Sequence, residues 1–392
     1  MTNIEFPSNV TTVNANAFYN CGGLTSVTIP ASVSGIGKEA FGKCTGLTDI
    51  IYNATACADF TNTDGQLPFM RAGTSAGLRL TVGANVTKIP AYMFYGAIAD
   101  GIGGGVAEII FVGGSKCKSI GEYAFQGNNK LSGVSIPDSV TGIGSRAFYN
   151  CTGLTAITIG SGLNSWSDDA FTGCSGLSGI SVDSGNATFS GQDGILYNKL
   201  KTVIQFVPQA ISGNITLPNT LTGSIIGAAA FKNCNKLTGI VIPDGVTGIG
   251  NEAFYGCSGL LTVTIGTGVT VIGIDAFRNC SGLVSVNSGK SVTTINSGAF
   301  QGGENLQSIV ISEKVTKIDY SAFTYCSALA KVYYGGYYDE QPTTVSDWNG
   351  ITINMYNDNL KAATRYYYSG TALADGSHWH YDTDGVTPIL WA

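Results

Sequence analysis

The chain has 392 residues, 54 of them glycine, with 12% charged and 44% hydrophobic residues and a formal net charge of −6. That apolar content is enough to offset the entropy of ordering, which excludes a disordered chain, and 10 prolines with no Gly-X-Y period exclude collagen. Without a basic patch there is no counterion release to drive nucleic-acid binding, and the same balance disfavours an anionic membrane surface.

The chain matches itself at a shift of 23 residues. Phe18 and Phe41 open the series, Phe125, Phe148 and Phe171 continue it, and Phe231, Phe254, Phe277, Phe300 and Phe323 complete it. A fixed period in this range is the signature of a solenoid. In the first coils, Leu24, Val27 and Ile29 alternate with polar residues, as inward positions of a strand do. Pro30 lacks an N–H and ends the ladder. Val33 and Ile36 are expected on the opposite wall. Gly37, Gly121, Gly144, Gly250 and Gly273, and elsewhere Asn14, Asn296 and Asp319, are residue types that start helices. Glu39, Glu122, Glu252 and Asp275 follow where a helix dipole favours acids. Gly23, Gly46, Gly153, Gly176, Gly259 and Gly282 stand where a left-handed helix end is common. The Ala-Phe-x-x-Cys step therefore predicts one short helical turn per coil, joined to parallel strands.

Further along, Asn53 to Gly77 breaks the period and reads as a surface insertion. Gly96 to Gly105 reads as a Gly-rich loop. From Ser181 to Gln209, Leu196-Tyr197 and Val203–Phe206 suit a β-hairpin inserted into the solenoid. The regular pattern fades after Cys326. Residues 333–392 are rich in Tyr, hold both His and contain Trp348, Trp379 and Trp391. An open solenoid end exposes core and sheet edge, so this region is expected to be a cap. The predicted organisation is a solenoid over 1–332, with insertions near 53–77 and 181–209, and a capping region over 333–392. Met1 falls where Leu24 falls in the next coil, so the chain starts inside a repeat, and a leader is expected to have preceded it. No apolar run approaches 18 residues, so no membrane span is expected.

The recurring Cys-x-x-Leu-x-x-Val/Ile-x-Ile-Pro-x-x-Val-Thr-x-Ile-Gly-x-x-Ala-Phe, carried by Cys21 to Phe41, Cys234 to Phe254 and Cys257 to Phe277 among others, resembles the leucine-rich repeats of the BspA type, also called the Treponema pallidum type. The resemblance covers roughly residues 1 to 335. Departures are Asn128 in the Cys position, a shifted Gly302–Asn305 stretch, Trp166 for Ile, and the two insertions. The resemblance implies a right-handed leucine-rich-repeat coil: a repeat solenoid, β-rich α/β. It implies a secreted or cell-surface protein, often of host-associated bacteria, acting in adhesion or in binding host protein. It brings no catalytic site and no cofactor.

Cys21, Cys44, Cys151, Cys174, Cys234, Cys257, Cys280 and Cys326 share one repeat position, and Cys57 and Cys117 lie outside it. There is no Cys-x-x-Cys for zinc, and a position shared with Asn128 predicts free, buried thiols rather than disulfides. Leu217-Pro-Asn-Thr220 looks like the start of a sortase signal, but it is the Pro-x-x step of a repeat. Gly101–Gly105 lacks the helix and Lys of a phosphate loop. His378, His380 and Asp382 would share one face of a strand and form a metal candidate, but a hairpin turning at Asp384-Gly385 explains the same residues, and no metal is expected. No paired carboxylates or Ser-His grouping marks an enzyme.

The outward strand positions Thr28, Ser135, Thr158, Ser181, Val241, Thr264, Asn287 and Val310 form a weakly charged face that could dock a partner. Tyr333, Tyr337, Tyr338 and Trp348 are further partner-binding candidates, with Tyr334 and Tyr366–Tyr368 beside them, although capping a core needs aromatics as well. The expected function is adhesion to a protein on a host or neighbouring cell, such as an extracellular-matrix or surface protein. The alternatives are glycan binding through the C-terminal aromatics and an architectural spacer.

Overall fold

The computed structural model describes residues 2–61, 67–95, 104–335, 350–369, 376–382 and 387–390. The chain forms two compact units, Met1–Lys199 and Leu200–Ala392. Both are built from parallel β-solenoid coils, about 14 turns in all with a period near 23 residues.

The strand of each coil forms where the sequence alternates. Ser26–Ile29 places Val27 and Ile29 inside, pairs in parallel with Asn3–Glu5 and Asp49–Tyr52, and stops before Pro30. Gly133–Ile136 and Leu237–Ile242 end before Pro137 and Pro243 in the same way. On the opposite wall, Val33 and Ile36 are buried and the short strand Gly35–Ile36 pairs with Thr12–Val13. Leu217 and Leu221 are buried in the repeat step their sequence indicated.

Between the two walls the expected helical turn is replaced by a run of hydrogen-bonded turns. The N–H groups of Glu252, Phe254 and Gly256 donate to Ile274, Ala276 and Arg278 of the next coil, while those of Ala253, Tyr255 and Cys257 donate within their own. A single helical turn would leave its first N–H groups without an internal partner; here alternate N–H groups tie coil to coil. In most coils this geometry places left-handed residues two before and two after the Phe, as at Glu252 (φ 55°) and Gly256 (φ 72°), or Asp275 (φ 54°) and Asn279 (φ 58°). The acids at these positions therefore sit in turns and not at helix starts.

The glycines after the cysteines are not left-handed helix ends. A Cβ on Gly46 would lie 2.2 Å from the Gly22 carbonyl oxygen, and one on Gly259 2.1 Å from that of Asn235. Gly37 serves the same purpose against the Ala15 nitrogen, at 2.3 Å. Close stacking of coils, not capping, selects these residues.

Within each unit the repeat phenylalanines stack in a column. Ring centroids lie 5.1 Å apart for Phe148–Phe171 and 4.8 Å for Phe254–Phe277, with near-parallel planes. The spacing follows the ~4.8 Å separation of adjacent strands. Phe69 belongs to this column, 5.0 Å from Phe41 and 5.2 Å from Phe94. Ala54, Cys57, Leu67 and Ala72 are buried as well. The stretch 53–77, expected as a surface insertion, thus contributes its own Phe to the core, with 62–66 outside the described residues. Gly302–Asn305, expected to be shifted, is in register: Gly303 takes the Cys position, its N–H donating to the Phe300 carbonyl and its carbonyl accepting from Leu306.

The hairpin of 181–209 is also assigned differently. Phe189–Gln192 pairs antiparallel with Ile195–Asn198, around Asp193 and Gly194, both at positive φ, as a tight two-residue turn requires. Phe189 packs on Trp166, which packs on Phe171. Val203–Phe206 instead pairs in parallel with Ser224–Ile226. Of the Gly-rich loop at 96–105, only Gly104 and Gly105 are among the described residues.

In the second unit the parallel ladder continues through Lys331–Tyr334 and Thr364–Tyr368 to His378–Tyr381. Pro388–Leu390 then pairs antiparallel with His378–Tyr381, the expected hairpin, although Asp384 and Gly385 lie outside the described residues.

Candidate functional site

The outward faces of the two ladders differ in what covers them. In the first unit, Thr28, Ile51, Thr81 and Ile110 pair in register across four strands. Ile51 is 42% exposed and Ile110 38%. The neighbouring outward column is Ser26, Asp49, Arg79 and Glu108. Arg79 Nε donates to Asp49 Oδ1 at 2.8 Å. The Thr48 hydroxyl, 2.7 Å from Asp49 Oδ2, and then Arg79 hold the Asp49 carboxyl below its ordinary range. The result is a sheet face with two solvent-facing isoleucines beside a charged column. Ser135, Thr158 and Ser181 form a second in-register row.

In the second unit the outward column runs Val241, Thr264, Asn287, Val310, Tyr333 and Tyr366. Its far end is covered. Trp379 is fully buried against Val310 and Tyr333, and its Nε1 donates to the Tyr334 carbonyl at 2.9 Å. Tyr333 stacks on Tyr366 at 5.3 Å and meets Trp379 edge-on. Its ring therefore serves packing and is not offered to a partner. Tyr337, Tyr338 and Trp348 lie outside the described residues. Tyr368 and Tyr381 flank Trp379 at 5.4 and 4.8 Å. The near end stays open: Val241, Thr264 and Asn287 line a cavity of about 560 Å³ whose other wall includes Thr387 and Pro388.

Among the described residues no group of three or more His, Cys, Asp or Glu is placed to hold a metal. His380 Nδ1 lies 2.8 Å from the Tyr381 carbonyl oxygen and His378 Nδ1 3.2 Å from the Ser377 hydroxyl, so both rings are engaged locally. All ten cysteines are free; Cys21 is exposed and the rest are buried. No helix among the described residues is long and apolar enough to cross a membrane.

Ile51, Thr81 and Ile110 were not among the outward positions read from the sequence. The signal was there: Ile51 follows Leu47 by the same four residues that separate Thr28 from Leu24. The irregular spacing beyond Phe41 hid the continuation.

Comparison with known proteins agrees with this architecture. The model of the BspA type leucine rich repeat region matches residues 1–99, 107–212 and 206–330, in 6 copies. No curated protein sequence matches. A leucine rich cell surface protein from Faecalibacterium prausnitzii is similar in structure, with a TM-score of 0.56, 26% identity and 90% of each chain covered. A leucine-rich repeat protein from Eubacterium ventriosum superposes with a TM-score of 0.61 at 23% identity, covering 91% of this chain and 87% of its own. The pneumococcal vaccine antigen PcpA does so with a TM-score of 0.58 at 17% identity, covering 94% and 87%. The last two likenesses are of fold alone. With the repeat model matching most of its length, the chain belongs to the BspA-type leucine-rich repeat family.

Proposed function

We propose that this is a non-enzymatic binding protein that works outside the cell or at its surface and adheres to protein on a host or neighbouring cell. The observation that carries the reading is the open face of the first unit. Ile51 and Ile110 stand exposed on either side of Thr81, with Asp49, Arg79 and Glu108 alongside. Apolar centres rimmed by charge are what protein interfaces use, and stacked repeats extend such a face without further design. The family and the cell-surface description of the Faecalibacterium relative support the location.

The test is a binding panel of immobilised extracellular-matrix proteins run beside a glycan array. Saturable binding to a protein supports the reading. Binding to neither, together with tolerance of deleted repeats, would make the chain a spacer.

A further inference from the structure

Beneath the C-terminal hairpin of the second unit lies a cleft that the proposed docking face does not use. One cavity, of about 260 Å³, is lined by Lys290, Ser312, Glu313, Gly335, Tyr368 and Tyr381, among others. A second, of about 300 Å³, shares Gly289, Lys290 and Tyr381 with it and continues to Asn219, Asp244 and Thr267. The two form one cleft that bends round the Lys290–Tyr381 pair. Together they reach the lower range of small-ligand sites, ~300–1,000 Å³.

Three features define what fits. First, the aromatic wall is fixed in advance. Trp379 wedges against both Tyr368 and Tyr381 from a fully buried position, and the Asn287 side chain hydrogen-bonds the Tyr381 hydroxyl. Burial pushes that phenol above its ordinary range, so it stays neutral. Second, Lys290 Nζ lies 5.1 Å from the Tyr381 ring centroid and, among the described residues, neither Lys290 nor Glu313 is in an ion pair. A three-fold donor and a carboxylate acceptor thus line the same cavity with their hydrogen-bonding capacity unspent. Third, the cleft carries both signs of charge, with Asp244 and Glu313 near Lys290. A strongly charged ligand would gain from one and be repelled by the other.

We infer that this cleft binds a neutral carbohydrate of about two sugar units, with a ring's C–H face against Tyr381 and its hydroxyls bonded to Lys290 and Glu313. A polyol is both donor and acceptor, so it satisfies the ammonium and the carboxylate together, and rigid tyrosines supply an amphipathic wall. Whether the sugar belongs to a host glycan or to a microbial polysaccharide, the recognising chemistry is the same.

Calorimetric titration of the full chain with lactose, maltose, cellobiose and diacetylchitobiose tests this, with N-acetylneuraminic acid as the charged comparator. At least one neutral disaccharide should bind saturably at one site. Its affinity should fall at least about tenfold in the Lys290→Ala/Glu313→Ala double variant and in Tyr381→Ala. Both side chains of the double variant are exposed and, among the described residues, make no hydrogen bond, so that variant keeps its fold even if Tyr381→Ala loosens the hairpin. No binding of any neutral disaccharide, binding of the charged sugar alone, or unchanged affinity in the double variant would overturn the assignment. Ile51→Lys with Ile110→Lys should leave sugar binding unchanged, which separates this site from the proposed protein-docking face.

Discussion

The Cys151 thiol lies 3.1 Å from the carbonyl oxygen of Phe125, one coil back. The same contact joins Cys44 to Phe18, Cys257 to Phe231 and Cys326 to Phe300, at 3.0 to 3.1 Å. A cysteine suits this position because it is small, largely apolar and carries one weak donor. It fills space beside the Phe column and clamps neighbouring coils. Cys151→Ala removes both the donor and the volume, and should lower stability by about 1–3 kcal/mol in urea unfolding.

These thiols should also be chemically silent in the folded chain. Burial pushes Cys44 and Cys117 up to about 11, and Cys174 and Cys326 up to about 12, from an ordinary 9.0. An unfolded chain releases these protons near pH 9 while the folded chain keeps them. Their contribution to stability is therefore whole below pH 9 and is lost as pH rises from 9 towards 12. A thiol-specific reagent at pH 8 should modify Cys21 alone, the single exposed cysteine, and urea midpoints should fall steadily above pH 9.

Asn128 keeps the clamp by other means. Its Nδ2 donates to the Phe94 and Phe125 carbonyls, at 2.8 and 2.7 Å, and its Oδ1 accepts from the Val106 N–H at 2.6 Å. Asn128→Ala strands a buried N–H and should cost about 2–4 kcal/mol. Asn128→Cys restores a donor but no acceptor and should fall between. Comparing the urea midpoints of the two variants checks the order.

Coil stacking sets a steric limit at glycine. Gly259→Ala places a methyl group 2.1 Å from the Asn235 carbonyl oxygen, whereas Gly113→Ala meets nothing within 4 Å. The first should destabilise by about 1–3 kcal/mol as overpacking does. The second should stay within ~0.5 kcal/mol of the parent. Thermal melting of both variants reads the contrast.

The period, the inward residues and the Pro stops were legible in the sequence because each is a local pattern repeated many times. What was not legible depends on the neighbouring coil. Ala-Phe-x-x-Cys has the residues of a helical turn, and only the donation from Phe254 N–H to Ala276 shows why a flatter run of turns replaces it. The recurrence of Asn or Gly two residues after Phe, as at Asn20, Asn150, Asn233 and Gly256, marked those left-handed positions in advance. Phe69 escaped because its coil is longer than 23 residues, so it falls off the period although its ring stacks in the column. At the candidate site, the outward column of the second unit followed from the repeat. That Trp379 covers its far end did not, since the residues between Tyr334 and Trp379 carry no repeat to fix the register.

The most direct measurement of the proposed function is surface plasmon resonance with the matrix protein bound best in the panel. It compares the parent chain with the Ile51→Lys/Ile110→Lys variant, whose changes lie on solvent-facing positions of an intact sheet. Two charges placed in the apolar centre of the docking face should weaken binding at least about tenfold, chiefly through faster dissociation. Binding of the variant with parent affinity would contradict the assignment of that face.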